Sequence, residues 1–274
     1  MNIKNHLLYD DNGKQIPFFN TPNKGRKYTP QYLVIHFTAV TTARSSVNWF
    51  MNKDAKASAH LLIDKDGSIT QFAPFDIVTW HAGKSQWNGI VGLNSHSIGI
   101  EIVNGGRVRK SGASWICPVD MKVIPEDDVV TAKHKNEAEA SHWHEYTPEQ
   151  IEAVIQLSTL LVKTYGLKDV IGHDDISPLR KSDPGPAFPM ASVRAKAMGR
   201  KDETIDDYVT STAVNIRSGA GTAFSQLTQS ALPKNTKVEV LKREGNWSFV
   251  EVQQTVEGMN DLEGWIFSKY LIKP

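Results

Sequence analysis

An α/β domain followed by a small all-β barrel is the fold class the sequence predicts. Three observations predict it. Tyr32–Ile35 and Ser97–Val103 are short apolar runs that read as buried strands. Thr147–Gly166 carries helical apolar spacing with recognisable signals at both ends. Beyond about residue 200, short apolar segments recur at close spacing between glycine turns, the texture of a small barrel.

The chain has 274 residues, enough for one large domain or for a medium domain with a small one. Thirty-one Lys and Arg against thirty Asp and Glu leave a net charge of +1. A polyanionic partner is therefore disfavoured, nucleic acid included. Cys117 is the single cysteine, which excludes an intrachain disulfide and a zinc site built from several thiolates. No segment approaches the roughly 20 apolar residues that cross a bilayer, so no membrane insertion is expected. Met1–His6 lacks an apolar stretch and reads as no signal peptide, which leaves any export route open.

Residues 1–30 are polar and broken by Gly13, Pro17, Pro22, Gly25 and Pro30, and read as an irregular lead-in. The first buried strand then ends on His36. Thr42 or Ser45 is placed to cap a short helix through Val47–Met51. Ser58–Ile63 and Ser68–Phe72 flank Asp64-Lys65-Asp66-Gly67, a hairpin with a glycine turn. Trp80-His81-Ala82-Gly83 falls in a loop. The strand at Ser97–Val103 holds one carboxylate, Glu101, between isoleucines, where a charge needs a partner or a function.

Residues 105–146 mix charge, glycine, histidine and Cys117 without clear period and read as an extended loop or insertion. Thr147 then opens the helix as N-cap, with Pro148 at the first turn and Gln150 completing a capping box. Ile151, Val154, Ile155, Leu161 and Val162 repeat at helical spacing, and Gly166 is placed to end it. Beyond residue 200, Lys237–Leu241, Trp247–Val252 and Gly264–Ile266 read as strands. Residues 205–274 carry seven Lys and Arg against eight Asp and Glu, so bulk charge does not grip a target there.

Ile171–Pro189 concentrates a histidine, three aspartates, a lysine, two glycines and four prolines. Its rigid turn-formers argue against a helix or a central strand. A stiff backbone carrying His, Asp and Lys suits a metal held without rearrangement. Zinc hydrolases commonly use three protein ligands and leave one position for water. His36 ends a buried strand, His173 follows a short one, and Asp183 precedes Pro184, which favours extended backbone. On spacing alone, a strand-end cap at His173 and an Asx turn at Asp183 remain open.

His36-x-Thr38-Ala39, Ser58-Ala59-His60, Trp80-His81-Ala82-Gly83, Ser97-Ile98-Gly99-Ile100-Glu101 and His173 with Arg180-Lys181-Ser182-Asp183-Pro184-Gly185-Pro186-x-Phe188-Pro189 occur in this order. The series closely resembles the zinc-dependent N-acetylmuramoyl-L-alanine amidases of the type-2 amidase family, related to peptidoglycan recognition proteins. It covers roughly residues 30–192 apart from 105–146. The resemblance implies a mixed central β-sheet with flanking helices and one zinc per chain in a surface groove. It implies His36, His173 and Asp183 as metal ligands, Glu101 as catalytic carboxylate and Lys181 as catalytic cation. Trp80, His81 and Asn94 fall at positions implied to touch substrate.

The implied reaction separates the lactyl group of N-acetylmuramic acid from L-alanine, with peptidoglycan or muropeptides as partner. The expected place of action is the cell wall, periplasmic or extracellular. For Glu101 the alternative is orienting a histidine ligand, and for Lys181 a solvated loop cation. His60 reads as structural, and His134, His142 and His144 as a weaker metal candidate. Met190 departs from the family, whose members usually place tryptophan after Phe-Pro. The chain from about 205 to 274 resembles bacterial SH3-like domains, which often contact cell-wall peptide bridges. The expected domains are thus 1–200, with its insertion, and 205–274. Two other readings stand beside the amidase: a non-catalytic muropeptide-binding protein and a zinc peptidase acting within the stem peptide. Recognition members of the family typically lack a zinc ligand, whereas all three positions are filled here.

Overall fold

The computed structural model describes residues 1–199, 207–259 and 262–272. The chain divides into two compact units, Met1–Gly199 and Arg200–Pro274. The first is built on a five-stranded sheet: β1 (Tyr32–Phe37), β2 (Leu61–Ile63), β3 (Ile69–Gln71), β4 (Ser97–Ile102) and β5 (Asp169–Gly172), in the spatial order β5-β1-β4-β2-β3. The pairs β5–β1, β1–β4 and β4–β2 are parallel, and the β2–β3 hairpin is antiparallel. The sheet is therefore mixed, with α1 (Ala43–Met51), α2 (Pro148–Tyr165), a single turn α3 (His173–Ile176) and α4 (Met190–Met198) beside it.

Side-chain alternation decides which face each strand gives to which layer. Leu33 and Ile35 of β1 and Ile98, Ile100 and Ile102 of β4 join one core with Val154, Leu157 and Leu161 of α2 and Val193 of α4. Each such buried aliphatic side chain contributes roughly 1.5–3 kcal/mol, more than the roughly 1 kcal/mol of a helix cap. Packing thus holds α2, and its ends set where it starts and stops. Thr147 Oγ1 accepts from Gln150 N at 3.2 Å, and Gln150 Oε1 accepts from Thr147 N at 3.2 Å. Gly166 closes the helix at φ 61°, where a Cβ is disfavoured. On the other face, Tyr32 and Val34 pack with Ala82, Leu93, Ile171 and Ile176. Thr42 is the N-cap of α1, accepting from Ser45 N.

The lead-in is not irregular. Asn2–Lys4 pairs antiparallel with Leu7–Tyr9, and Lys24–Lys27 pairs with Ile77–Thr79. The buried amide of Gln71 organises the first pair: Oε1 accepts from Leu8 N at 2.8 Å and Nε2 donates to His6 O at 3.1 Å. One side chain on β3 thus does for this segment what an apolar pattern does elsewhere. Residues 105–146 are likewise ordered. Arg109–Ser111, Ser114–Ile116 and Val123–Ile124 form a three-stranded sheet, and Val129–Lys133 pairs with Ala140–His144. Val108, Trp115, Cys117 and Ile124 form their own small core. Ile171–Pro189 holds one helical turn, α3, in which Asp175 Oδ2 accepts from Gly172 N at 2.8 Å. The turn-formers exclude a longer helix, not a single turn. α4 has only Val193 and Ala197 buried, too few for a visible period, and Arg194 clamps it to Asp169 through bonds of 2.7 and 2.6 Å.

The second unit is a five-stranded antiparallel sheet of Asp207–Thr210, Lys237–Glu244, Trp247–Val252, Glu263–Phe267 and Leu271–Ile272. Val214, Ile216, Leu232, Val238, Val250, Val252, Leu262, Ile266 and Leu271 form its separate core. Among the described residues no helix is long and apolar enough to cross a membrane.

Candidate metal centre

Strand register brings the site together. In the parallel ladder Glu101 lies opposite His36, and Gly172 lies opposite Ile35. His173, the next residue, is therefore delivered beside His36 at the carboxyl ends of adjacent parallel strands. Such strand ends are where open α/β sheets commonly place ligands. Asp183 returns to the same point through the loop after α3, its carbonyl accepting from Asp174 N at 2.8 Å. One ligand atom from each of His36, His173 and Asp183 lies within 4.8 Å of the others, and all three residues are buried. Among the described residues this is the group of His, Cys, Asp and Glu placed to hold a metal.

The hydrogen bonds around the two imidazoles decide what faces inward. His173 Nε2 lies 3.0 Å from Ala82 O, so its proton belongs there and Nδ1 carries a lone pair. His81 Nε2 lies 3.3 Å from Ser97 O, which leaves His81 Nδ1 as an acceptor. That nitrogen is 2.9 Å from His36 Nε2, which therefore donates, and His36 Nδ1 also turns a lone pair inward. The two Nδ1 atoms are 2.8 Å apart, and Asp183 Oδ2 is 3.0 and 2.8 Å from them. Burial holds His36 down to about 4, with His173 pushing the same way and Asp183 opposing, so the ring is neutral. Two nitrogen lone pairs and a carboxylate oxygen thus converge, a donor set that fits zinc.

Glu101 stands on the same face of the sheet as His36. Its Oε2 is buried and has no hydrogen-bond partner. Burial drives its pKa well above the usual value, Asp183 adds to the rise, and Lys181 opposes it. An orphaned carboxylate oxygen beside three convergent polar side chains is costly unless something it serves arrives. Lys181, half-buried on the ligand loop, is near enough for its charge to bear on both Glu101 and His36.

Trp80 lies at the surface, 36% exposed. His81 turns its ring onto His36, with centroids 5.0 Å apart, and lies against Gly99, where an added Cβ would come within 2.5 Å of the imidazole. Asn94 Oδ1 accepts from His81 N and Ala82 N at 3.0 and 2.7 Å, which fixes the turn behind His36 and His173. His60 is a satisfied structural histidine, bonded to Gly99 N at 3.0 Å and Ile77 O at 2.9 Å. His134, His142 and His144 do not gather. His134 bonds to Asp174, His142 to Thr131, and His144 to Gly105 N and Lys65. Sequence reasoning missed the Ala82 carbonyl and Asp174. The first is a backbone group with no residue signature; the second sits next to His173, where a buried carboxylate was the available signal.

Residues 26–186 match the family model described as N-acetylmuramoyl-L-alanine amidase, and residues 212–272 match the bacterial SH3 domain. Over 176 residues the chain is 31% identical to the N-acetylmuramoyl-L-alanine amidase AmiD of Escherichia coli (strain K12), covering 61% of this chain and 53% of AmiD. Over 141 residues it is 33% identical to the 1,6-anhydro-N-acetylmuramyl-L-alanine amidase AmpD of the same strain, covering 51% of this chain and 57% of AmpD. The chain thus spans little more than half the length of these relatives. The crystal structure of a selenomethionine AmpD derivative is similar in fold, with a TM-score of 0.50 at 23% identity over 72% of this chain and 99% of that one.

Proposed function

Because the chain belongs to the N-acetylmuramoyl-L-alanine amidase family, we propose that it is a zinc-dependent hydrolase of the amide bond between N-acetylmuramic acid and L-alanine in peptidoglycan or its fragments. The observation that carries this reading is the convergence of two imidazole lone pairs and the Asp183 carboxylate near the buried, unpartnered Oε2 of Glu101. His36, His173 and Asp183 would hold one zinc ion per chain. When bound, zinc polarises a carbonyl oxygen and acidifies water.

The chain's own groups do the rest. Glu101, raised by burial, takes the proton of the attacking water as the new C–O bond forms at the lactyl carbonyl carbon. Lys181 offers positive charge to the oxygen that becomes negative. As the C–N bond breaks, Glu101 returns the proton to the nitrogen of L-alanine, and the muramic acid leaves as a lactyl carboxylate. Trp80, His81 and Asn94 are the proposed substrate-facing positions, Trp80 by its exposed ring and the other two through the turn that they hold. The place of action is the cell wall, periplasmic or extracellular. Residues 205–274 form the second domain, beside a catalytic domain at 1–200, and contact wall peptide. A groove of about 800 Å³ lined by Asn215, Arg217, Trp247, Phe267 and Tyr270 supports that contact.

The test is to incubate the zinc-loaded protein with defined muropeptides and weigh the products. Intact stem peptide beginning with L-alanine is expected. Shortened stems would mean a peptidase, and bound but uncut muropeptide a recognition protein.

A further inference from the structure

The segment 105–146 interrupts the amidase-like motifs, and the reaction as derived gives it no task. Its hairpin, Val129–Lys133 with Ala140–His144, carries a turn that lies on the loop between two of the metal-ligand positions. His134 Nε2 is 3.0 Å from Asp174 Oδ2, and Lys135 Nζ donates to Asp174 Oδ1 at 2.8 Å and to Asp175 Oδ1 at 2.6 Å. Asn136 Nδ2 donates to Asp174 O at 3.2 Å and to Pro178 O at 3.3 Å. The tautomer of His134 is set: its Nδ1 accepts from Asn136 N at 3.2 Å, so Nε2 carries the proton given to Asp174. Trp143 of the same hairpin stacks on the His134 ring, with centroids 5.8 Å apart.

Asp174 is the link. It follows His173 directly, and its backbone N–H donates to Asp183 O. His134 and Asp174 are 2% and 4% exposed, so their pairing is not a solvated surface contact. A carboxylate so buried is costly unless both oxygens are engaged, and here both are engaged from the hairpin. Tyr146, just after the hairpin, donates to Pro184 O at 2.7 Å and fixes the far side of Asp183.

We propose that the hairpin of 105–146 is a positioning clamp on the ligand loop, in which His134 and Lys135 grip Asp174 and so set the spacing of His173 and Asp183. The proposal rests on the reading of those residues as zinc ligands. Loss of outer partners of metal ligands typically costs 10–100-fold in affinity.

The full-length chain tests it, by zinc competition with a chromophoric chelator at a temperature where circular dichroism shows every variant folded. His134→Leu keeps the bulk and removes the donor; His134→Gln keeps an N–H near the Nε2 place; Lys135→Met removes the second grip without touching the buried ring. Asp120→Ala is the control. It cuts another anchor of the segment, where Asp120 Oδ2 accepts from Thr41 N at 2.8 Å and Thr41 Oγ1 at 2.7 Å, away from the ligand loop. Zinc affinity about tenfold weaker in His134→Leu, weaker in Lys135→Met and near wild type in His134→Gln and Asp120→Ala is the expected result. Unchanged affinity in His134→Leu would overturn the clamp, as would equal weakening in all four variants. Wild-type chain that takes up no zinc would bring down the metal reading itself, and the clamp with it.

Discussion

Glu101 is the residue on which the proposed chemistry turns, because its buried Oε2 has no partner and its pKa is raised chiefly by burial. Glu101→Gln keeps shape and removes the proposed base. Turnover of a soluble muropeptide should fall by about 100-fold or more, while zinc content by elemental analysis stays at the wild-type level. If zinc is lost with activity, Glu101 orients a ligand instead. His60 makes the complementary prediction. Burial holds it near 4, against only partial opposition from the Ile77 carbonyl and Asp76. A folded value below the ordinary 6.5 means that the neutral ring is what the fold accepts. Its contribution is present above about pH 6.5 and is lost as pH falls towards 4, on the order of 3 kcal/mol in all. Urea titrations of wild type and His60→Asn from pH 7.5 to 4.5 should show the shallower decline in the variant. Both residues were legible beforehand, Glu101 as a charge in an apolar run and His60 as a lone histidine on a hairpin strand. The inward lone pairs of His36 and His173 were not, since they depend on acceptors at Ala82 and Ser97 that only the folded chain brings near.

Elements with a strong local pattern are legible in the sequence, and those that lean on partners from elsewhere in the chain are not. α2 shows the first kind: Thr147, Pro148, Gln150 and Gly166 mark its ends, and its periodic residues face the sheet. Thr147 does more than cap, since its hydroxyl also donates to Lys65 O at 2.6 Å in the β2–β3 turn. Thr147→Ala should therefore cost about 1–2 kcal/mol, the upper part of the range for a cap. The midpoint of urea unfolding would move to lower concentration at unchanged slope. The strands of residues 1–30 and 105–146 are the second kind. They are short and paired in twos and threes, too short for an apolar alternation to show. Gln71 and Asp174 hold them from elsewhere in the chain, and nothing in the local sequence announces those partners. The ordering of 105–146 matters for the site, because a loose loop there could not carry the His134–Asp174 contact.

The two units have separate cores, and every candidate ligand and catalytic residue lies in the first. The second matches the bacterial SH3 domain and presents a groove whose lining includes Trp247 packed edge-on to Phe267, with ring centroids 5.3 Å apart. If that groove holds wall peptide, its effect on catalysis is one of concentration, because a tethered site converts encounter with a polymer into an intramolecular event. A soluble fragment gains nothing from such tethering. Trp247→Ala in the full-length chain, and a chain ending at residue 199, should therefore cleave a small muropeptide at the wild-type rate. Both should digest intact sacculi more slowly, by up to about 100-fold at low enzyme concentration, with the deficit closing as enzyme is raised. Equal loss on both substrates would instead mean that the second unit supports the fold or the active site of the first. Wild-type rates on both would leave the groove without a part in wall binding.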